Sequence, residues 1–422
     1  MIDLKDKKLI QQGKMNLELA ERNMVALMSL RTRFSKEKPF KNVRIGMALH
    51  VTKETGILVR ALIDGGAKVA ITSCNPLSTQ DDIVAALNAE GIEVYGYKGE
   101  SKQDYYRFIR KVIDFKPNVT IDDGCDLVSE IHTHHPHLIK DIIGGCEETT
   151  TGVIRLRAME LDKALKYPMI AVNDNDTKHL MDNYYGTGQS TLDGLMRAAN
   201  MLFSGKTVVV AGYGDCGKGV ALRAKGLGAR VIVTEVKPVR ALQACMDGYT
   251  VMPMQKAAPL GDIFITVTGD CEVIRPEHMK MMKSGVILAN SGHFDIEIDL
   301  PGLEKIATKK RRIRPFLDEY TLSAGSSKLL PKVIFVAGEG RLVNLAAAEG
   351  HPSEVMSMSF CGQALAVEYL LQHKGKLESR VYQLPKALDE KIASLQLQAN
   401  GVQIDHLTPR QKKYLSSWQE GT

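Results

Sequence analysis

The chain has 422 residues, too many for one hydrophobic core, so we expect two or three domains. Its 44% hydrophobic and 25% charged residues are typical of soluble enzymes, and the net charge of +6 comes from interspersed acids and bases. Seven cysteines without a Cys-x-x-Cys pair argue against a disulfide framework or structural zinc, and no apolar run is long enough for a membrane span. We therefore expect a cytoplasmic protein without nucleic-acid or membrane partners.

The first 125 residues alternate between strand-like and helix-like patterns. Apolar residues at helical spacing predict one amphipathic helix over 14–32. Four strands then follow at 43–50, 67–73, 92–97 and 119–122, with helices at 54–65, 79–89 and 103–113 between them. This alternation predicts a parallel, doubly wound α/β sheet, which binds ligands beyond the carboxyl ends of its strands.

Polar residues gather where these strands end. His50 follows the first strand, Asn75 the second and Asp123 the fourth. Together they predict a cleft for a small polar ligand. Taken singly, such residues are also typical of helix caps and loops, and Ser78 or Thr79 before Asp81 fits a helix N-cap.

The histidine-rich stretch 132–137 resembles a metal cluster, but Pro136 breaks its local geometry. It offers no thiol or facing carboxylate, which metal sites usually include. We interpret it as a surface turn, and we predict no metal site.

Two further stretches carry groups suited to a polar substrate. At 147–152, two acids precede three threonines and a glycine, a pattern that fits hydrogen bonding to phosphate or ribose and also a capped helix start. Lys178 and Asp182 stand four residues apart and so share one face of a helix. On a surface this spacing is an ordinary ion pair, whereas in a cleft it forms an acid/base pair.

A dinucleotide-binding motif lies near the middle of the chain. An apolar run at 207–211 leads into Gly-x-Gly-x-x-Gly at Gly212, Gly214 and Gly217, then a helical pattern, a second apolar run at 230–234 and Glu235. The glycines permit the tight turn and a close backbone approach to pyrophosphate, and the acid can accept from ribose hydroxyls. A P-loop is excluded because Gly219 stands where Ser or Thr is required. Glu235 favours NAD over NADP, although Lys237 nearby could bind the 2′-phosphate of NADP.

The remaining chain completes this unit and returns to the first. Strands are predicted at 263–267, 286–290 and 333–336, and a helix at 358–373. The basic run 309–312 is interpreted as a solvated face or turn. We predict a first domain of 1–185 with 346–376, a Rossmann NAD-binding domain of 186–345, and an oligomerisation segment of 377–422.

Together these stretches closely resemble the S-adenosyl-L-homocysteine hydrolases over nearly the whole chain. The resemblance is carried by Ser78-Thr79-Gln80-Asp81, Asp122-Asp123-Gly124, the stretch 147–152, Asn173-Asp174, Lys178 with Asp182-Asn183, the stretch 212–219, Gly292-His293-Phe294, the stretch 339–344 and Gly350-His351-Pro352. It implies two doubly wound parallel-sheet domains, tightly held NAD and a homotetramer. It also implies reversible hydrolysis of the thioether: the 3′-hydroxyl is oxidised to a ketone, homocysteine is eliminated from C5′, water adds, and the ketone is reduced.

The resemblance also implies roles for individual residues. Lys178 and Asp182 would handle the 3′-hydroxyl and C4′ protons, with the pKa of Lys178 lowered by burial beside NAD. His50 and Asp123 would serve the water and thiol end, and His293 would lie by the 3′-position. Substrate contacts are implied for Thr52, Glu54, Thr55, Glu148, Lys178, Asp182 and His351. Cofactor contacts are implied for Thr149, Thr150, Thr151, Asn183, Gly212, Gly214, Asp215, Gly217, Glu235, Asn290 and Asn344.

Alternatives and departures remain. Glu54 can accept from the exocyclic amine of adenine and would repel the carbonyl of hypoxanthine, which favours an adenosyl over an inosyl thioether. A dehydrogenase of 2-hydroxy acids shares the two-domain pattern but has no use for Lys178 with Asp182. A non-enzymatic nucleoside binder would be indicated by replacement of Lys178, Asp182, Asp123 or His50, and all four are present. The family's C-terminal lysine and tyrosine, which reach a neighbour's NAD, are absent here, and Lys412 and Lys413 are possible substitutes. Lys237 and Thr187 also depart from the family pattern.

Overall fold

The computed structural model describes residues 5–323 and 331–419, and their strands form two sheets. In chain order the strands are β1 (Arg44–Ala48), β2 (Lys68–Thr72), β3 (Glu93–Tyr95), β4 (Val119–Asp122), β5 (Gly144–Glu147), β6 (Met169–Ala171), β7 (Thr207–Ala211), β8 (Arg230–Thr234), β9 (Thr250–Val251), β10 (Ile263–Thr266), β11 (Val286–Asn290), β12 (Ala307–Arg314), β13 (Leu317–Leu322), β14 (Lys332–Ala337) and β15 (Val381–Tyr382).

The helices that connect these strands cover both faces of each sheet. They are α1 (Lys7–Asn23), α2 (Val25–Glu37), α3 (Lys53–Asp64), α4 (Asp81–Ala89), α5 (Lys102–Asp114), α6 (Asp126–His134), α7 (Thr150–Leu161), α8 (Asp176–Lys178), α9 (Thr187–Ala199), α10 (Asp215–Gly226), α11 (Pro238–Met246), α12 (Met254–Ala257), α13 (Pro276–Met281), α14 (Leu300–Ile306), α15 (Val343–Ala346), α16 (Ser353–Gln372), α17 (Lys386–Ala399) and α18 (Pro409–Leu415). Short 3₁₀ turns lie at Pro136–Asp141, Val172–Asp174 and Gly338–Gly340, and a π-helix spans His179–Gly186.

The first sheet is entirely parallel, in the order β15-β6-β5-β4-β1-β2-β3. Alternate residues of its strands point to opposite sides, so Ile45 and Met47 pack under α1, α2, α3 and α16, while Ala48 packs on the side of α5 and α6. The strand order reverses at β1, which lies between β2 and β4. Such a switch point opens a crevice beyond the carboxyl ends, where His50 and Asp123 follow β1 and β4.

The second sheet runs in the order β12-β13-β14-β11-β10-β7-β8-β9. Its switch point lies at β7, between β8 and β10, where the glycine motif begins. Strands β12 and β13 pair antiparallel at one edge, an addition that the sequence pattern did not indicate. The basic run lies on exposed β12 and pairs with acids, including Lys310 with Glu304 at 2.8 Å, and it is therefore a solvated face, as predicted.

The predicted single helix over 14–32 is wrong, because the chain forms two helices there. Met24 leaves helical geometry, with φ −98° and ψ 51°, while its N–H still bonds to the carbonyl of Ala20. Neither Gly nor Pro marks this position, and the apolar pattern continues on both sides of it. Leu17 and Leu27 both remain in the core.

After β14 the chain returns to the first sheet. Phe360 and Leu365 of α16 belong to the core of the first domain. The first part of the segment 377–422 packs there too, since β15 pairs with β6 and Ile392 of α17 is buried in the same core. Residues 401–416 are exposed. No helix within the described residues is both long and apolar enough to cross a membrane.

Candidate active site

A cavity of about 520 Å³ lies between the carboxyl ends of the two sheets, a volume typical of small-molecule sites. Residues from both domains line it, so the cavity closes only because the two sheets face each other. The predicted site residues that line it are His50, Thr52, Glu54, Thr55, Asp123, Glu148, Thr149, Thr150, Thr151, Lys178, Asp182, Asn183, Gly214, Asp215, His293, Asn344 and His351. Those that lie outside its lining are Gly212, Gly217, Glu235 and Asn290.

Lys178 stands at the centre of a buried polar cluster. Its Nζ lies 3.0 Å from Oδ1 of Asp182, 2.8 Å from Oδ1 of Asn183 and 3.9 Å from Oε1 of Glu148. The π-helix that begins at His179 carries Asp182 and Asn183 together toward the lysine, and such widened turns are common at functional sites. Sequence spacing suggested the partner at 182, and the structure adds Asn183.

The pKa of Lys178 is raised, whereas the expectation was that it would be lowered. Burial lowers it, but the carboxylates of Asp182 and Glu148 outweigh burial and hold the pKa of Lys178 above its usual range. Lys178 is therefore held as an ammonium, and the expected lowering of its pKa is wrong. The sequence could not show this balance, because Glu148 reaches the lysine from another element.

The carboxylate of Asp182 contacts two side chains, Lys178 and His351. Its Oδ2 lies 3.3 Å from Nδ1 of His351, whose Nε2 lies 3.3 Å from Oγ1 of Thr187. Burial raises the pKa of Asp182, but Lys178 and His351 outweigh it and hold this pKa below its usual range. His351, which the resemblance places near adenine, thus also contacts Asp182, the partner of Lys178.

A second cluster of polar side chains connects the two domains. Nε2 of His50 lies 3.4 Å from Oδ2 of Asp123, and Nδ1 of His293, in the loop after β11, lies 3.5 Å from Oδ1 of the same carboxylate. Burial lowers the pKa of His50 to about 4, so its imidazole is neutral near pH 7. Nδ1 of His50 lies 3.2 Å from Sγ of Cys74, whose pKa burial raises. His50, Cys74 and Asp123 are close enough to share a metal ion, but the protonated thiol disfavours binding.

The adjacent acids Glu147 and Glu148 have different roles, the first structural and the second at the site. Glu147 accepts from the backbone N–H of Gly124 and of Thr149, which shapes the loops after β4 and β5. Glu148 faces the cavity, where Ser359 and Gln363 of α16 donate to its two oxygens. Burial raises the pKa of Glu148 to about 7. The sequence did not single out Ser359 and Gln363, whose only signal is polarity within an apolar helix.

The threonines after Glu148 start α7 without capping it by a side chain. Thr149 is the N-cap residue and makes no side-chain cap bond, while Oγ1 of Thr150 donates to Oδ1 of Asn173 at 3.2 Å. Their hydroxyls and the helix N-terminus therefore face the cavity, where both can bind an anion or hydroxyl.

The glycine turn fits a dinucleotide. Gly212 has φ +104°, and a Cβ on Gly217 would lie 2.0 Å from the carbonyl oxygen of Gly212, so neither position tolerates a side chain. The turn opens directly into α10, whose N-terminal N–H groups suit a pyrophosphate. Arg240, which sequence reasoning missed, places Nη1 3.3 Å from where a Cβ of Gly214 would stand. Its guanidinium can pair with a phosphate there.

Glu235 and Asn290 organise the cofactor side without lining the cavity. Oε2 of Glu235 accepts from the N–H of Tyr213 at 2.8 Å, which holds the acid at the turn. Asn290 donates to the carbonyls of Gly292, Phe294 and Gly340. Its amide is thus used to shape the loop that carries His293. By contrast, Oδ1 of Asn344 is buried without a hydrogen-bond partner and can receive a carboxamide N–H.

The far end of the cavity is formed by the start of α3. Thr52 caps this helix, and Oγ1 of Thr55 donates to the carbonyl of His50 at 2.6 Å. Glu54 is 1% exposed, and Ser353 donates to its Oε1 at 2.6 Å. Oε2 is left to accept from a ligand. Ser353 was not identified from the sequence.

The histidines of 132–137 take no part in this site. His132 bonds to the carbonyl of Val128 and to the N–H of Lys166, while His134 and His137 are exposed. A helix end and a 3₁₀ turn meet at His135, as the proline suggested.

Comparisons with known proteins agree across the chain. A family model described as S-adenosyl-L-homocysteine hydrolase matches residues 2–135, and one described as S-adenosyl-L-homocysteine hydrolase, NAD binding domain, matches 183–350. The chain is 56% identical over 422 residues to the S-inosyl-L-homocysteine hydrolase of Methanocaldococcus jannaschii, covering 100% of both chains. It is 56% identical over 421 residues to the adenosylhomocysteinase of Aquifex aeolicus, covering 100% of this chain and 99% of that one. With the adenosylhomocysteinase of Saccharolobus solfataricus it shares 55% identity over 420 residues, 99% of each.

Proposed function

This chain belongs to the S-adenosyl-L-homocysteine hydrolase family, and we propose that it hydrolyses S-adenosyl-L-homocysteine reversibly to adenosine and L-homocysteine. The observation that carries the proposal is the single cavity that joins the Lys178, Asp182 and Glu148 cluster to the glycine turn of the Rossmann sheet. A thioether has no carbonyl to attack, so its hydrolysis needs the oxidising power of a cofactor next to an acid/base pair. The family match sets aside a dehydrogenase of 2-hydroxy acids.

The residues around the glycine turn fit NAD. The α10 N-terminus with Gly214 and Arg240 would hold the pyrophosphate, Glu235 the adenosine ribose, and Asn344 the carboxamide. Thr149, Thr150, Thr151, Asn183 and Asp215 also line the cavity. When bound, NAD supplies a reversible hydride acceptor for the 3′-carbon of the nucleoside.

Lys178 and Asp182 are positioned to move the protons of this oxidation. The raised pKa of Lys178 and the lowered pKa of Asp182 oppose proton transfer across their 3.0 Å contact, so Lys178 serves as the base for the 3′-hydroxyl only once the bound substrate and cofactor lower its pKa. Asn183 and Asn173 hold the amine in place, at 2.8 Å and 3.5 Å from Nζ. Glu148 would accept from a ribose hydroxyl with its remaining lone pairs.

Asp123, His50 and His293 would act at the thioether end. Removal of the C4′ proton expels homocysteine from C5′ as a thiolate, which needs a proton, and the water that replaces it must lose one. Asp123 can supply the first proton and accept the second, since a carboxyl group with two imidazoles beside it is held in place for both transfers.

Glu54 favours the adenosyl over the inosyl substrate. A carboxylate only accepts hydrogen bonds, so its free oxygen suits the exocyclic amine of adenine and opposes the 6-carbonyl of hypoxanthine. The inosyl thioether remains a second candidate, because the relative from Methanocaldococcus jannaschii is named for it.

The experiment assays free thiol from the purified protein with S-adenosylhomocysteine and, separately, with S-inosylhomocysteine, while following NADH absorbance. We expect thiol release from the adenosyl compound without accumulation of free NADH. Faster release from the inosyl compound would overturn the choice of base, and no thiol from either would overturn the hydrolase proposal.

We also propose a homotetramer in the cytoplasm. The segment after α17 exposes large apolar side chains, with Leu415 68% and Trp418 91% exposed, as a partner-seeking surface would. The cysteines among the described residues are all free, which suits a reducing compartment. Sedimentation of the full chain and of a variant ending at residue 400 tests the assembly: we expect four chains for the first and fewer for the second.

A further inference from the structure

Behind His50 lies a small buried network of hydroxyls that the proposed reaction has not used. Oγ of Ser78 lies 2.7 Å from Nδ1 of His50, 3.0 Å from the carbonyl oxygen of Asn75 and 3.1 Å from Oγ of Ser73. Ser73 in turn donates to the carbonyl of Asn75 at 2.9 Å. Ser73 and Ser78 are 0% and 2% exposed, so both hydroxyls are shielded from bulk solvent.

The hydroxyl of Ser78 has one proton and must choose among these acceptors. On the other side of the ring, Nε2 of His50 faces Oδ2 of Asp123 at 3.4 Å, and this oxygen only accepts when Asp123 is ionised, as it is between the elimination and the addition. A lone pair on Nε2 would therefore face a negative charge, whereas an N–H there would donate to it. A neutral imidazole has one ring proton, so placing it on Nε2 makes Nδ1 an acceptor.

We propose that Ser78 is a positioning residue that donates to Nδ1 of His50 and so holds this histidine as the Nε2–H tautomer, a hydrogen-bond donor to Asp123. This proposal rests on the proposed hydrolase function. Cys74 is the other proton donor near Nδ1, at 3.2 Å, but a thiol is a weak donor. Ser73 contacts Ser78 and Asn75 but has no hydrogen bond to His50, so it takes no part in the contact that orients the ring.

The fixed tautomer assigns the proton transfers to Asp123. In the elimination, the C4′ proton passes to the base at Lys178 and Asp182, a C4′=C5′ double bond forms as the C5′–S bond breaks, and sulfur takes the electron pair and the carboxyl proton of Asp123. In the addition, a water oxygen bonds to C5′, the C4′ proton returns to C4′, and one water proton moves to Asp123, which restores the acid. His50 stays neutral throughout and donates to Oδ2 in both states, which stabilises the carboxylate between the two steps.

The test separates the two halves of the reaction in the NAD-loaded enzyme. Adenosine alone reports 3′-oxidation through the absorbance of bound NADH, and S-adenosylhomocysteine reports thioether cleavage through free thiol. For Ser78→Ala we expect thiol release to fall roughly 10- to 100-fold, the usual effect of removing the partner that orients a functional histidine. We expect 3′-oxidation to stay within about twofold of the wild type, because Lys178 and Asp182 carry that step. Bound NADH should therefore accumulate during turnover of the thioether.

Two variants distinguish orientation from packing. Ser73→Ala removes buried hydrogen bonds of the same loop without touching His50, and it should leave thiol release near that of the wild type. Ser78→Thr keeps the hydroxyl and should restore most of the loss. The proposal is overturned if Ser78→Ala releases thiol at the wild-type rate, if Ser73→Ala loses as much, or if Ser78→Ala loses both partial reactions together. A wild-type enzyme that releases no thiol would instead overturn the proposed function.

Discussion

Nζ of Lys178 lies 3.0 Å from Oδ1 of Asp182, and both side chains are buried at the domain boundary. The two groups do not form an isolated surface ion pair, because Glu148 contacts Lys178 and His351 contacts Asp182. This network raises the pKa of Lys178 and lowers the pKa of Asp182. The two groups are thus held as an ammonium and a carboxylate. Removing the lysine should consequently affect chemistry far more than cofactor binding.

We expect Lys178→Gln to retain NAD but to lose 3′-oxidation by roughly 10²- to 10⁴-fold, the usual effect of removing a general base. Glutamine can still donate to Asp182 and Asn183, so it leaves fewer buried polar atoms unpaired than alanine would. Single-turnover NADH absorbance with adenosine measures the step, and the NAD content of the purified variant is the control. Oxidation near the wild-type rate would show that another group accepts the proton.

Much of the architecture could be predicted from the sequence because it depends on local signals. The alternation of strands and helices, the glycine turn at Gly212 and the polar residues after β1 and β4 all follow from short-range patterns. The resemblance then supplied roles for residues whose position in the cavity the structure describes.

What the sequence missed depends on contacts between distant elements. Met24 breaks a helix with no local breaker, and Arg240 lies near Gly214 although the two residues belong to different elements. Ser353 and Ser359 meet acids some 200 to 300 positions away, which no periodicity records. The raised pKa of Lys178 belongs to the same class, since it is a sum over several elements.

Glu148 should make nucleoside binding dependent on pH. Burial raises its pKa to about 7, so the carboxylate that accepts from ribose hydroxyls is converted to the acid as pH falls through 7. We expect the Kd of adenosine to rise below that pH by up to about tenfold per unit, because only the ionised form makes the strong bond. Equilibrium titrations between pH 5.5 and 8.5, taken as a rough bracket around that pKa, measure the slope.

Glu148→Gln is the matched variant for this pH dependence. Its amide still contacts Ser359 and Gln363 but does not titrate, so adenosine should bind weakly with a flat profile over the same range. An unchanged slope in the variant would assign the titration to another group of the cavity.

Glu54→Gln should narrow the preference between adenosyl and inosyl thioethers. Ser353 can still donate to the side-chain carbonyl, so the side chain stays in place, but its amide end can now donate to the 6-carbonyl of hypoxanthine. We expect the ratio of the two kcat/KM values to move toward unity by about tenfold, which corresponds to the net contribution of one hydrogen bond. Glu90→Gln, at the surface beside Arg60, is the control that should leave the ratio alone. An unchanged ratio in Glu54→Gln would mean that the base is read elsewhere.

Gly219 lets α10 pack closely against the π-helix that carries Asp182. A Cβ at this position would lie 1.9 Å from the carbonyl oxygen of Tyr184, a backbone atom of the π-helix that carries Asp182 and Asn183. Gly219→Ala must push α10 and the π-helix apart, which we expect to cost about 1–3 kcal/mol of stability, to weaken NAD binding and to slow thiol release. Gly226→Ala, in the same helix, meets no atom within 4 Å and should be neutral or stabilise by up to about 1 kcal/mol. Thermal unfolding, NAD retention and thiol release are compared for the two variants. Equal behaviour would show that catalysis does not need this close approach, whereas selective damage in Gly219→Ala would tie the placement of Lys178 and Asp182 to the cofactor helix.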